Sequence, residues 1–257
     1  MNSYLPEYFK EFELIWESRD TYTIHLPKEN PGKAGQFYML SSPGIGEAPI
    51  SVASGHLREM LFTIRSVGTV TSKLPDARVI GVRGPYGTSW PWERYGKILA
   101  VAGGIGIPPI NSLFDEMVGT GRGKDLEIIY GARSPSDLIY HKQRKEWAKM
   151  ANVIITVDKG DPNWKGNVGF VTQFISKSET DRDGAVFIIG PPLMMKNSVA
   201  ESLEAGFRPE NIYLSLERRM ECGIGVCGHC NVGEFYACED GPIFQYSVVK
   251  HLPELFL

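Results

Sequence analysis

The chain has 257 residues, 42% of them apolar and 22% charged, with a formal net charge of −3. That length supplies one large domain or two ordinary ones, and the composition is that of a soluble globular protein. The acidic balance excludes nucleic acid as a main partner, since neutralising phosphates takes a basic face. "MNSYLPEYFKEFELIW" carries no basic n-region followed by an apolar run, and no apolar run elsewhere reaches the length of a membrane span, so the chain reads as cytoplasmic.

Residues 1–95 read as β-structure. "TYTIHLP" (21–27), "GQFYMLSS" (35–42), "PISVAS" (49–54), "MLFTIRSV" (60–67) and "ARVIGVRGPYG" (77–87) are short, β-rich runs punctuated by Gly and Pro. The pattern predicts a small antiparallel barrel without a long helix. "SWPWERY" (89–95) marks the boundary, and its aromatics read as packing between two domains rather than as a cofactor cage.

From residue 97 the chain alternates. "KILAVAG" (97–103), "LEIIYGA" (126–132), "NVIITVD" (152–158), "AVFIIG" (185–190) and "IYLSLE" (212–217) read as buried strands. "PINSLFDEMV" (109–118), "SDLIYHKQRKEWAKM" (136–150), a short "GFVTQFIS" (169–176) and "PLMMKNSVAESLEA" (192–205) read as helices. Alternating strands and helices predict a parallel sheet with right-handed crossovers, binding its ligand at the carboxyl ends of the strands. The first strand runs into "GGIGIPP", where Gly103, Gly104 and Gly106 let backbone approach a pyrophosphate at a helix N-terminus. The pattern is G-x-G-x-x-P rather than the dinucleotide fingerprint, so a purely structural turn is an equal reading. The second strand ends in "YGARS", with no acid until Asp137. Arg133 there suits a 2′-phosphate, or is a solvated surface arginine. Gly190 and Pro191 make a further rigid turn facing the same crevice.

All four cysteines lie in "ECGIGVCGHCNVGEFYAC" (221–238). Disulfide scaffolds belong to short secreted chains, so the cluster reads as a metal site. Zinc ribbons show two C-x2-C knuckles, and here only Cys227 and Cys230 form one. Cys222, Cys227, Cys230 and the later Cys238 instead follow the C-x4-C-x2-C…C spacing of plant-type 2Fe–2S ferredoxins. Gly223, Gly225 and Gly228 let the loop curl and bring N–H groups to the sulfurs. Zinc and free thiols remain as alternatives, and His229 reads as a partly exposed loop residue.

A barrel, a nucleotide domain and a cysteine loop in this order resemble the ferredoxin–NADP⁺ reductase superfamily. Within it the chain is similar to iron–sulfur flavoprotein electron-transfer subunits: those of dihydroorotate dehydrogenase, the sulfhydrogenase gamma subunits and the corresponding subunit of anaerobic sulfite reductase. The resemblance rests on "GEAPIS", "RGPYG", "GGIG", "TVDKGDPNWKGNVG", "GPPLMM" and "SLERRMECGIGVCGHC…YACEDGPIF". It implies a flavin-binding barrel (1–95), an NAD(P)-binding α/β domain (96–210) and a 2Fe–2S module (211–257). It also implies FAD, a 2Fe–2S cluster and NAD(P) as cofactors.

The family's R-x-Y/F/I-S motif reads Ala48-Pro49-Ile50-Ser51 here, which puts Pro49, Ile50 and Ser51 along the flavin. The usual arginine for the pyrophosphate is absent. Arg65 replaces its charge, and Gly68, Val70 and Thr71 open a predicted short helix whose N–H groups face the same phosphates, although Thr71 also reads as a plain helix cap. Gly103, Gly104, Gly106, Arg133, Gly190 and Pro191 map onto the nicotinamide nucleotide.

A nicotinamide carries two electrons and a cluster one, so the flavin stands between them. No residue set for converting a further substrate is visible. The implied activity is NAD(P)H-dependent electron transfer to or from a larger oxidoreductase subunit, in a hetero-oligomer. A free-standing reductase serving an iron–sulfur carrier, or an adaptor that has lost nucleotide turnover, are the alternatives.

Overall fold

The computed structural model describes residues 4–256; residues 1–3 and 257, the outer ends of the predicted barrel and cluster module, lie outside them. Seven strands build the front of the chain: β1 (Glu7–Phe9), β2 (Glu13–Trp16), β3 (Thr21–Glu29), β4 (Phe37–Ser42), β5 (Gly46–Ser51), β6 (Glu59–Arg65) and β7 (Ile80–Tyr86). They pair antiparallel throughout, in the orders β1-β7-β4-β5 and β2-β3-β6. Alternation along each strand explains the closure. Tyr22, Ile24 and Leu26 of β3, Tyr38 and Leu40 of β4, and Phe62 and Ile64 of β6 meet in one core. The alternate residues of β4, Phe37 and Met39, turn the other way into a different core. β1 and β2 were not anticipated; they are short edge strands, mostly exposed, and show no apolar alternation.

The second half alternates as predicted: β8 (Ile98–Gly103), α1 (Ile107–Gly119), β9 (Leu126–Ala132), α2 (His141–Met150), β10 (Asn152–Val157), β11 (Asn167–Val168), α3 (Thr172–Ile175), β12 (Ala185–Ile189), α4 (Pro192–Glu204) and β13 (Ile212–Ser215). Beyond them lie β14 (Asn231–Val232), β15 (Phe235–Tyr236), β16 (Ile243–Gln245) and α5 (Tyr246–Val249). The sheet order is β11-β10-β9-β8-β12-β13-β16. All pairs are parallel except the last, where β16 returns antiparallel against β13. The cysteine segment is therefore an excursion between two neighbouring strands of one sheet. Strand β8 shows why the sheet needs cover on both faces: Ile98, Ala100 and Ala102 face one core, and Leu99 and Val101 the other. None of the helices among the described residues is long and apolar enough to cross a membrane.

Polar side chains of α1 join the two halves. Asn111 Nδ2 donates to the Ala53 carbonyl at 2.7 Å, and Ser112 Oγ to that of Ser54 at 2.8 Å. Asp115 accepts the Gly55 N–H, while Glu116 accepts the N–H groups of Ala34 and His56 and the Trp92 indole. Burial pushes both carboxyls above their ordinary pKa, and these N–H groups partly offset it. Just before α2, Tyr140 OH lies 2.5 Å from Thr63 Oγ1 of the barrel. As predicted, Trp90 and Trp92 pack inside, and Trp90 stacks on Phe187 with ring centroids 4.7 Å apart.

Asn111 also accepts the Trp147 indole N–H at 3.0 Å and is 5% exposed. Asn111→Ala strands one buried acceptor and one buried donor, each costing about 1–3 kcal/mol. The variant should unfold in urea at a clearly lower midpoint than the parent; an unchanged midpoint would remove this seam from the account of stability.

Candidate functional site

The carboxyl ends of β8, β9, β10 and β12 open into a cleft of about 700 Å³. Gly103, Gly104 and Gly106 form its floor, Gly190 and Pro191 one wall, and Arg133 another. Gly104 has φ +55, and no atom lies within 4 Å of where its Cβ would stand, so bare backbone faces the cleft. A pyrophosphate fits such a place, and the α1 N-terminus follows directly. Pro108 and Pro109, buried in the first turn of α1, suit a position whose N–H groups lack helical partners.

Arg133 stands at the end of β9 with its side chain 69% exposed, 3.0 Å from Asp137 Oδ1. Asp158, just past β10, lines the same cleft. Burial raises its carboxyl pKa and Arg133 partly counters this. From the barrel side, Arg65 and Asp20 enter the cleft as an ion pair with Nε 2.9 Å from Oδ2. Burial alone would raise Asp20, but hydrogen bonds from Arg65, Thr21 and Ser18 outweigh it and hold the carboxyl below its usual value. Glu217, after β13, also lines the cleft, and the protein crowding around it raises its carboxyl pKa. Arg218 beside it donates to the carbonyl of Glu254 and so ties down the tail.

The structure thus brings Arg65, Gly103, Gly104, Gly106, Arg133, Gly190 and Pro191 together. Pro49, Ile50 and Ser51 lie elsewhere, on β5, where every residue after Gly46 is half-buried. β5 is an edge strand, hydrogen-bonded to β4 alone within its sheet. Val70 approaches Gly46 at the start of β5, so the Gly68–Thr71 turn belongs with this strand rather than with the cleft. The predicted short helix there is corrected. Residues 69–73 form turns leading into a single 3₁₀ turn at Leu74–Asp76. Pro75 bars its preceding residue from a continuing α-helix. Thr71 Oγ1 takes the N–H groups of Gly68 and Val67, at 2.9 and 3.2 Å. The Gly68 N–H is therefore already partnered.

The cysteines fall into two pairs. Cys222 Sγ accepts the N–H of Cys227 at 3.4 Å, and Cys230 Sγ lies 3.2 Å from Cys238 Sγ. Further N–H groups reach the sulfurs, from Ile224 to Cys222 and from Gly225 to Cys238 at 3.1 Å. Among the described residues no three His, Cys, Asp or Glu side chains converge as on a single ion. Two pairs suit a two-iron cluster, one pair to each iron. The local charge fits as well. The backbone N–H of His229 and hydrogen bonding from Cys222 pull the Cys227 thiol down to about 7, whereas burial pushes that of Cys238 up. A buried thiolate pair needs the positive charge an iron core supplies. Cys230 and Cys238 are buried while Cys227 is exposed, beside Val226 at 79% exposure. His229 is exposed, as anticipated.

Asp20, Asp158, Glu217 and Arg218 escaped the sequence reading. Only Asp158 carried a local signal, an acid closing a buried parallel strand. The others reach the cleft from separate elements.

This combination defines an oxidoreductase of the ferredoxin–NADP⁺ reductase type with an added iron–sulfur module. Comparison with known proteins agrees. Residues 100–200 match the oxidoreductase NAD-binding domain, and residues 217–250 the iron–sulfur cluster binding domain of dihydroorotate dehydrogenase B. The chain is 41% identical to sulfhydrogenase 1 subunit gamma of Pyrococcus furiosus over 87% of its own length and 82% of the relative's. It is 34% identical to a probable dihydroorotate dehydrogenase B (NAD(+)) electron transfer subunit of Methanocaldococcus jannaschii, over 94% and 90%. A solved structure of an NADH-dependent reduced ferredoxin–NADP oxidoreductase superposes with TM-score 0.77 at 25% identity, covering 95% of this chain and 91% of that one. The chain belongs to the family of the sulfhydrogenase gamma and dihydroorotate dehydrogenase electron-transfer subunits.

Arg133 is the exposed cation of the cleft suited to a 2′-phosphate. A charged hydrogen bond to phosphate is worth about 1.5–3 kcal/mol, so Arg133→Ala should weaken NADPH roughly 10- to 100-fold more than NADH. Equal losses for both nucleotides in a titration would leave Arg133 to Asp137 alone.

Proposed function

We propose that this chain is the electron-transfer subunit of a cytoplasmic oxidoreductase complex, linking NAD(P)H to a partner catalytic subunit through FAD and a 2Fe–2S cluster. The backbone bared at Gly104 receives the pyrophosphate of the nicotinamide nucleotide, while Gly103 and Gly106 let the turn pack closely on Met194 and Ile189, and Gly190 and Pro191 bound it. Pro49, Ile50 and Ser51 border the flavin, and the Gly68–Thr71 turn with Val70 closes the start of that strand. Cys222, Cys227, Cys230 and Cys238 ligate the cluster. The flavin, when bound, converts between two-electron and one-electron transfer. The residues hold the three sites in contact order, exclude water from Cys230 and Cys238, and present Cys227 outward.

One observation carries this reading. The cysteine loop is not a separate appendage: Gly223 packs on Met39 of β4, and Met39 pairs across the sheet with Pro49 of β5. The cluster loop and the flavin strand are thus two sides of one strand pair. The exposed Val226–Cys227 tip then faces the side from which a partner approaches. The partner is a catalytic subunit of the kind found with the relatives, a sulfhydrogenase or a dihydroorotate dehydrogenase.

Protein purified without oxygen should carry flavin, and twice as much iron and acid-labile sulfide as flavin, in keeping with one two-iron cluster. Stoichiometric zinc with no labile sulfide would overturn the assignment.

Cys227→Ala removes the exposed ligand and leaves the buried Gly223–Met39 contact intact. The variant should lose the cluster's visible absorbance and its transfer to the partner subunit, yet retain flavin that NAD(P)H reduces. Parental rates of partner reduction without a cluster would show that electrons leave by another route.

A further inference from the structure

We propose that Met39 is the positioning residue that seats the cluster loop against the flavin strand and sets the gap an electron crosses between the two centres. The inference rests on the function proposed above and names a residue to which no role has been given. Met39 is fully buried on β4. Its Cγ and Sδ stand 3.0 and 3.1 Å from where a Cβ on Gly223 would be, with Phe37 behind them at 3.7 Å. Gly223 has φ +72 and directly follows Cys222, so a bare glycine is needed both for the backbone and for the thioether. Met39 shares its apolar core with Cys230 and Cys238. On its other flank it is paired with Pro49 of β5. Side chains paired directly across neighbouring strands lie on the same face. Met39 therefore touches the loop of the first ligand pair, belongs to the same apolar core as the second, and lies beside the strand assigned to the flavin.

Its packing matters because electron transfer falls off steeply with distance, and faster across a void than across packed atoms. With both groups bound, the hydride of NAD(P)H would supply two electrons and leave NAD(P)⁺; one would pass from the reduced flavin to the oxidised cluster and the other would stay on the flavin. Methionine suits this position because an unbranched thioether fills an irregular gap. Truncation to alanine leaves a cavity that a close-packed interior closes only in part.

The test uses the full chain with flavin and cluster bound, reduced by NAD(P)H and sampled by rapid freezing. Cluster reduction is read by electron paramagnetic resonance and timed from flavin reduction in the same samples, so slower hydride delivery is not mistaken for slower transfer. Met39→Ala should lengthen that interval severalfold. Met39→Leu, which nearly conserves volume, should restore it. In protein stripped of cofactors, hydrogen exchange at Ile224 and Cys227, whose N–H groups bond to Cys222 Sγ, should quicken severalfold in Met39→Ala and recover in Met39→Leu. If Met39→Ala fails to hold the cluster, Met39→Val supplies the comparison, with an intermediate lengthening expected. A parental interval in the truncated variant, or a leucine variant as slow as the truncated one, would overturn the proposal. Failure of the native chain to reduce its cluster with NAD(P)H would instead strike the underlying function, while the exchange experiment would still report on Met39.

Discussion

The hydrogen bonds from one face of α1 to the loop at residues 53–56 hold the molecule in its working shape. Asn111, Ser112, Asp115 and Glu116 each bond to backbone groups of the barrel, and Asn111 and Glu116 also take the indole N–H groups of Trp147 and Trp92. The bonds of Asn111 and Ser112 are removed from water, so breaking either leaves a buried polar atom unpaired, and the seam resists hinge motion. The same helix begins at the glycine turn of the nucleotide cleft. The element proposed to receive the nucleotide phosphate is therefore also the element bonded to the barrel. The proposed placement of a flavin on the barrel and a nicotinamide in the cleft would need that registration, because hydride transfer tolerates little misplacement.

The cysteine segment obeys a second constraint. It leaves the central sheet after β13 and comes back as β16 beside the same strand. Both ends of the excursion are thereby pinned, and its middle rests on the barrel. Thr88 Oγ1 exchanges hydrogen bonds with the backbone of Ile243 at 3.0 and 3.1 Å, and the Thr88 N–H donates to the carbonyl of Gly241. The loop thus has three attachments: to the sheet, to the barrel edge, and to Met39. The buried cysteine pair lies within this packed region, and the exposed tip lies outside it.

Charge in the cleft is arranged to stay balanced. Arg65 is held by Asp20 and Arg133 by Asp137, while Asp158 and Glu217, both open to solvent on one side, have their carboxyl pKa raised by the protein packed around them. Under the proposed function an incoming nucleotide would bring phosphate charge to a cleft lined by two arginines already paired with carboxylates, beside a helix start.

Several features were legible in the chain alone because they depend on local chemistry. Thiolate spacing around a two-iron core is set by bond lengths, so the spacing of Cys222, Cys227, Cys230 and Cys238 points to one wherever the loop lies. The period-two and period-3.6 patterns of 21–87 and 97–217 record which faces are buried, and so reveal barrel and parallel sheet. Residues that act through distant partners were not legible. The edge strands β1 and β2 have no buried face to mark them. The helix predicted after Gly68 yields to Pro75 and to the side chain of Thr71. Asp20, Glu217 and Arg218 reach the cleft from elements far apart in sequence, and Met39 meets Gly223 only because β16 folds back onto β13. Sequence by itself determined the ligand types and the layers, since these follow from bond geometry and burial periodicity. Tertiary structure alone decided which sites adjoin, because contact between distant segments depends on how whole sheets pack.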